Sequence, residues 1–179
     1  MSAYRSAAFA IFSALFLAVA VCAAERGPSL PQEREAAVKI AHLLETDPLG
    51  EATEGLRAWF SLWLKQVPDI GVPVCTDLLA PVFHWQRPEA LLVYLQMAFS
   101  SAAFMLEHPQ SAQDKPKVLS AGLEGALKAY ASILKQRPEA TLAFLDQLQQ
   151  MSDQGGLPGY ISQNPCEAQA PNPQEAAND

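Results

Sequence analysis

The sequence predicts an all-α single domain, and three observations carry that prediction. Prolines at 48, 68, 88, 109, 138 and 158 divide the chain into steps of 20 to 29 residues, each long enough for one helix and a turn. Between most of these prolines the apolar residues recur with a 3.6-residue period, and no convincing period-2 strand occurs. The stretch Ala90 to Leu106 carries no charge at all. A helix apolar all round belongs inside a protein or across a membrane. Its seventeen residues rise about 26 Å, short of the roughly 30 Å hydrocarbon core, and Gln96, Ser100 and Ser101 interrupt it. A buried central helix over 88–108 is therefore expected. About six antiparallel helices should pack around it, as an irregular bundle or a right-handed α-solenoid-like stack.

The N-terminus is set apart first. Arg5 and the terminal amine make a short positive region, Ala7 to Val21 is an uncharged apolar run, and small residues at Ala23 and Ala24 precede Glu25-Arg26. That order describes a secretory signal peptide over 1–24, cleaved after Ala23 or Ala24. Val21 is too large to precede a lipoprotein cysteine at Cys22. Once the signal is removed, no stable membrane span is expected. A helical domain over 25–161 and a disordered acidic tail over 162–179 remain.

Along the chain, Pro31 opens a first helix with Ser29 as candidate N-cap, and Ala36, Ile40, Leu43 and Leu44 make its apolar stripe. Thr46-Asp47-Pro48 ends it. A second helix can start at Pro48 with Asp47 as cap, although Gly50 and Gly55 weaken its first turns. Leu49, Leu56, Trp59, Phe60, Trp63 and Val67 give it an aromatic face. After a connector over 68–73, a short helix runs from Thr76 to about Trp85 and restarts at Pro81. The central helix then presents Leu91, Leu95, Ala98, Ala102 and Leu106 along one face.

Asp114 is positioned to cap the next helix, expected from Lys115 to about Gln136. Gly122 and Gly125 inside it, flanked by Ala121, Ala126 and Ala129, indicate a close backbone approach to Ala98, Ser101 and Ala102. A last helix is expected from Pro138 to Gly155-Gly156. The phrase Gln-Arg-Pro-Glu-Ala occurs at 86–90 and again at 136–140, and two helices with similar starts account for it.

Composition then bounds function. Without residues 1–24, eleven basic residues face nineteen acidic ones, a formal charge of −8. An acidic chain without a basic stripe is repelled by nucleic acid and by anionic membrane surfaces. Cys75 and Cys166 are the two cysteines beyond the signal, and an exported chain with an even count calls for a disulfide between them. The bridge would close a loop of about 90 residues, worth on the order of 4 kcal/mol in the chain-entropy description.

Chemical motifs are sparse. His42 and Glu45 share a helix face, but no second such pair, no HExxH and no Cys/His cluster accompanies them, so neither metal nor cofactor is expected. GxSxG, P-loop and GxGxxG patterns are absent from the sequence. The expected role is that of an exported, bacterial periplasmic or secreted, non-catalytic interaction or accessory module. It would hold a partner protein segment or a small apolar ligand in an aromatic groove formed by Trp59, Trp63, Phe83, His84 and Trp85. The alternative is a small exported enzyme, hydrolase-like or thiol-redox, built on Cys75 or the histidines. If the signal is cleaved, N-terminal sequencing of the exported product should begin near Ala24 or Glu25; a chain retained in the membrane with Met1 intact would contradict this reading.

Overall fold

Most of the proline-bounded segments do become helices. The computed structural model describes residues 26–73 and 75–166. Its α-helices are α1 (Pro31–Thr46), α2 (Thr53–Gln66), α3 (Ala80–Phe83), α4 (Glu89–Glu107), α5 (Lys115–Gln136), α6 (Ala143–Asp153) and α7 (Leu157–Gln163). Short 3-10 turns stand at Thr76–Leu79 and Pro109–Ser111. No strand occurs among the described residues, and the fold is all-α. The expected signal peptide, and all but the first residues of the expected tail, lie outside the described residues.

The central helix of the sequence is α4, and it divides the interior in two. Val93 and Met97 pack with Leu119, Leu123, Leu127 and Tyr130 of α5 and with Leu78, Leu79 and Val82. Phe99, Ala102 and Ala103 pack instead with Ala37, Ala41 and Leu44 of α1 and with Phe60 and Trp63 of α2. One helix thus supplies both hydrophobic clusters, which is why it carries no charge between its terminal Glu89 and Glu107. Its enclosure is incomplete. Leu91 is 60 % exposed, and Leu95, Ala98 and Leu106 are only partly buried, so most of the expected apolar face lies toward the surface.

The close crossing of α4 and α5 is present: Ser101 of the expected patch stands over Gly122, but Met97 and Ser100 take the places expected of Ala98 and Ala102. A Cβ on Gly122 would lie 2.7 Å from the Met97 carbonyl oxygen, and one on Gly125 would collide with the Ser100 side chain and lie 2.7 Å from Glu45 Oε1. The space over Gly125 is taken by a hydrogen bond. Ser100 Oγ donates to Glu45 Oε1 at 2.7 Å, and Gln96 Nε2 donates both to the Ala41 carbonyl and to Ser100 Oγ, each at 3.0 Å. This buried network ties α1 to α4, with Gly125 of α5 leaving it room, and each member satisfies another.

Several boundaries move. Ser29 does not cap α1; its amide and hydroxyl donate to Asp69, while Glu33 Oε2 accepts the Leu30 amide at 2.9 Å. The buried stripe of α1 is Ala37, Ala41, Leu44 and Glu45, leaving Leu43 44 % exposed. α2 begins at Thr53, five residues past Pro48, because a turn intervenes in which the Thr53 hydroxyl donates to the Gly50 carbonyl. The segment after Pro138 is not helical until Ala143, and a further helix, α7, follows α6 and runs two residues into the expected tail. Gly155 adopts φ 72°, the left-handed conformation that ends α6 and frees Leu157 to start α7.

The two Gln-Arg-Pro-Glu-Ala phrases meet in space. Arg137 Nη1 pairs with Glu89 Oε1 at 2.7 Å, and Arg87 Nη2 pairs with Glu139 Oε1 at 3.4 Å, so each arginine reaches the glutamate of the other phrase. Arg87 Nε also contacts Glu89, whose side chain is only 1 % exposed. Only the first phrase opens a helix; the second is a turn held against it. Tyr130 fixes the rest of that turn, accepting the Leu142 amide at 2.9 Å and donating to Asp146 at 2.7 Å.

Alanine substitution tests the crossing with opposite signs. Gly122→Ala and Gly125→Ala should each destabilise by about 1–3 kcal/mol, because backbone or a buried hydrogen bond must give way. Gly55→Ala, with nothing within 4 Å of its Cβ, should stabilise by roughly the 1 kcal/mol propensity difference. Denaturant midpoints at equal slope decide between these outcomes.

Candidate functional site

The connector before the first 3-10 turn and the outer side of α4 form one surface. Cys75, 5 % exposed, is bonded to Cys166 with an S–S distance of 1.99 Å, which ties the chain just past α7 to the start of the Thr76–Leu79 turn. Beside this disulfide, Pro73, Cys75, Tyr94, Met97 and Ala98 line an apolar cleft of about 40 Å³. The Phe83 ring rests on Tyr94 with centroids 4.7 Å apart, yet 53 % of Phe83 is exposed. Leu91, one helical turn before Tyr94, extends the same apolar surface. The short α3 helix places Phe83 here because Pro81 restarts the chain after the 3-10 turn and Val82 anchors it in the core.

The five residues expected to form one aromatic groove divide between the two clusters. Trp59 stacks on Trp63 at 5.8 Å, and Trp63, only 2 % exposed, donates its Nε1 to Glu33 Oε2 at 3.3 Å. Both belong with Phe60, which stacks on Phe99 at 4.4 Å. Phe83 turns to Tyr94, Trp85 meets the Tyr130 ring edge-on at 6.2 Å, and His84 is exposed at the α3 end. No ring contact joins the two groups among the described residues. What the aromatic count did not reveal was α4 itself: Leu91, Tyr94 and Ala98 complete the surface around Phe83, and their exposure follows from which side of an all-apolar helix remains uncovered.

The polar groups assemble elsewhere. His42 Nδ1 faces Glu45 Oε2 at 3.3 Å, and its Nε2 faces Glu107 Oε1 at 3.1 Å. The imidazole lies between the two carboxylates, so the three do not converge on a point, and no cluster able to hold a metal occurs among the described residues. Lys128 Nζ approaches the same Glu45 oxygen at 3.4 Å. Ser100, 4 % exposed, gives its proton to Glu45 and makes no hydrogen bond with the histidine, so no activated serine arises here. His108 packs on Phe104 at 4.8 Å. Burial pushes the Tyr130 hydroxyl up to about 12, and Asp146 adds to this against the opposing Leu142 amide, so Tyr130 stays protonated and structural.

Further clefts open at the surface, among them one of about 290 Å³ at Arg34, Glu35, Val38, Lys39 and Leu106 and two along α5. One of about 270 Å³ lies between the start of α5 and α7, lined by Pro116, Leu119, Pro158, Ile161 and Pro165 with Lys115 beside them. The other, about 440 Å³, is polar and lies between α5 and α6 at Glu124, Lys128, Gln149 and Ser152.

No protein-family model, characterised protein or solved structure matches the chain. The fold and its surface define the class directly: a disulfide-linked all-α domain with an apolar surface beside the bridge.

His42 gives the fold a pH dependence. Burial alone would lower its pKa, but the hydrogen bonds and charges of Glu107 and Glu45 outweigh burial and raise it above the ordinary 6.5. A pKa raised by folding stabilises the protonated state. The contribution is complete below the unfolded value and fades as pH rises through the folded one. As pH rises above the ordinary 6.5 and through the raised folded value, the denaturant midpoint should therefore fall, and His42→Gln should remove that part of the slope. An unchanged slope in the variant would show that His42 is not its source.

Proposed function

We propose that the protein is an exported, non-catalytic helical interaction module that holds an apolar segment of a partner protein on the α3–α4 surface. One observation carries this reading: Phe83 and Leu91 are 53 % and 60 % exposed on a surface continuous with the cleft at Tyr94 and Met97. Large apolar side chains grouped on one face, unlike scattered ones, mark a contact site. The cleft volume of about 40 Å³ suits the tip of one side chain, whereas an enclosed small-molecule site takes roughly 300 Å³ or more. A partner segment lying across the face is therefore favoured over a swallowed ligand. Export into the periplasm or medium is supported by the N-terminal pattern and by the Cys75–Cys166 bridge, which suits an oxidising compartment.

A photoreactive residue in place of Leu91 should give a discrete cross-linked species in the exporting cell, and one in place of the exposed Gln150 should not. Phe83→Asp should weaken partner binding by at least about 2 kcal/mol, roughly thirtyfold, while leaving the denaturant midpoint nearly unchanged. No adduct at Leu91, or an adduct indifferent to Phe83→Asp, would overturn the proposal.

A further inference from the structure

The outer side of α2 carries a second uncovered stripe, on the opposite core cluster from the α3–α4 surface. Gly55, Ala58, Trp59, Leu62 and Gln66 recur at helical spacing and share one face. All five are exposed, Leu62 at 56 % and Trp59 at 36 %, and a Cβ on Gly55 would meet nothing within 4 Å. The five residues carry no charge themselves, and Arg26 Nη1 reaches the end of the stripe, donating to Gln66 Oε1 at 2.9 Å. Along one flank of it lie Glu54 near the helix start and Lys65 near its end, eleven residues apart and so about three turns. Neither makes an ion pair among the described residues.

We propose that this face is the interface of a homodimer in which two copies of α2 pack antiparallel about a two-fold axis. A two-fold interface must be complementary to itself. An axis crossing α2 at the level of Trp59 and Phe60 inverts the helix while leaving each flank on its own side. It sets Glu54 against Lys65 of the second copy, and Lys65 against Glu54, so both unpaired charges gain a partner. The same operation lays Leu62 over Ala58 of the second copy, large on small, and brings the two Trp59 rings together near the axis. Gln66 falls opposite Gly55, where the missing side chain leaves room. Parallel pairing, with the axis along the helices, would carry each flank to the opposite side, where Leu56 and Trp63 lie, and would leave Glu54 and Lys65 without opposite charges. The helix has 14 residues, about 21 Å, and buries less than the roughly 800 Å² per partner of a standard interface. The dimer is therefore weak and concentration-dependent.

Sedimentation velocity on the disulfide-intact chain should show a monomer–dimer equilibrium with a dissociation constant on the order of micromolar or weaker. Leu62→Glu should weaken it at least about tenfold at unchanged denaturant midpoint. Glu54→Lys and Lys65→Glu should each weaken it about three- to tenfold, since the two-fold repeats the like-charge contact. The double variant E54K/K65E restores both pairs and should return to the wild-type value. A chain monomeric at every concentration overturns the proposal, even if another protein is found to cover Trp59. So does a dimer indifferent to Leu62→Glu, or one in which the double swap is no tighter than the singles.

Discussion

The hydrogen bond from Ser100 to Glu45 holds the interior in register. It lies where α1, α4 and α5 come together, and the glycine at 125 is the space it occupies. A carboxylate 95 % removed from solvent is costly unless its oxygens are satisfied. Ser100 serves one oxygen, and Lys128 and His42 serve the other. The three helices cannot slide past one another without breaking this set. The α4–α5 crossing therefore depends on polar geometry as well as on packing. Small residues let the backbones approach, and the network fixes where along the helices they do so.

The charged pairing of the two repeated phrases plays a similar part at the other end of α4. Burial opposes ionisation of Glu89, yet the hydrogen bonds from Arg137 and Arg87 keep its carboxyl below the usual glutamate range. A group with a lowered pKa adds stability above its unfolded value and loses it as pH falls through the folded one. Glu89 thus supports the start of α4 at neutral pH, where His42, nearer the other end, supports it in the mildly acidic range. Both ends of the central helix are held by ion pairs to other elements, while its middle is held by the core.

With its ends and two of its sides engaged, α4 leaves one apolar side toward solvent, next to the disulfide. The bridge joins Cys75, one wall of the small cleft beside Tyr94, to the segment after α7. α2 has the complementary property: its inner aromatic side is engaged through Phe60 and Trp63 while its outer side is not. The molecule therefore presents two distinct apolar surfaces on opposite core clusters, and the interior polar residues between them serve the fold.

The amino-acid sequence alone determined the features that are local. Proline spacing and the 3.6-residue period specify helices, Asp114 specifies the α5 start by accepting the Lys117 amide, and the helical glycines specify a close approach. The cysteine count specified the bridge once the chain was read as exported. Tertiary structure decided the rest, for physical reasons that local pattern does not contain. A helix such as α4, with no charge between its two ends, has no charged side, so periodicity cannot say which face stays open. Glu45 is buried only because partners from α4 and α5 reach it, and a hydrophobic stripe therefore skips it. The chain after Pro138 turns instead of coiling because Glu89 and Tyr130 bind it from elsewhere in the fold. For the same reason the aromatic residues, similar in the sequence, part into two clusters: α4 stands between them.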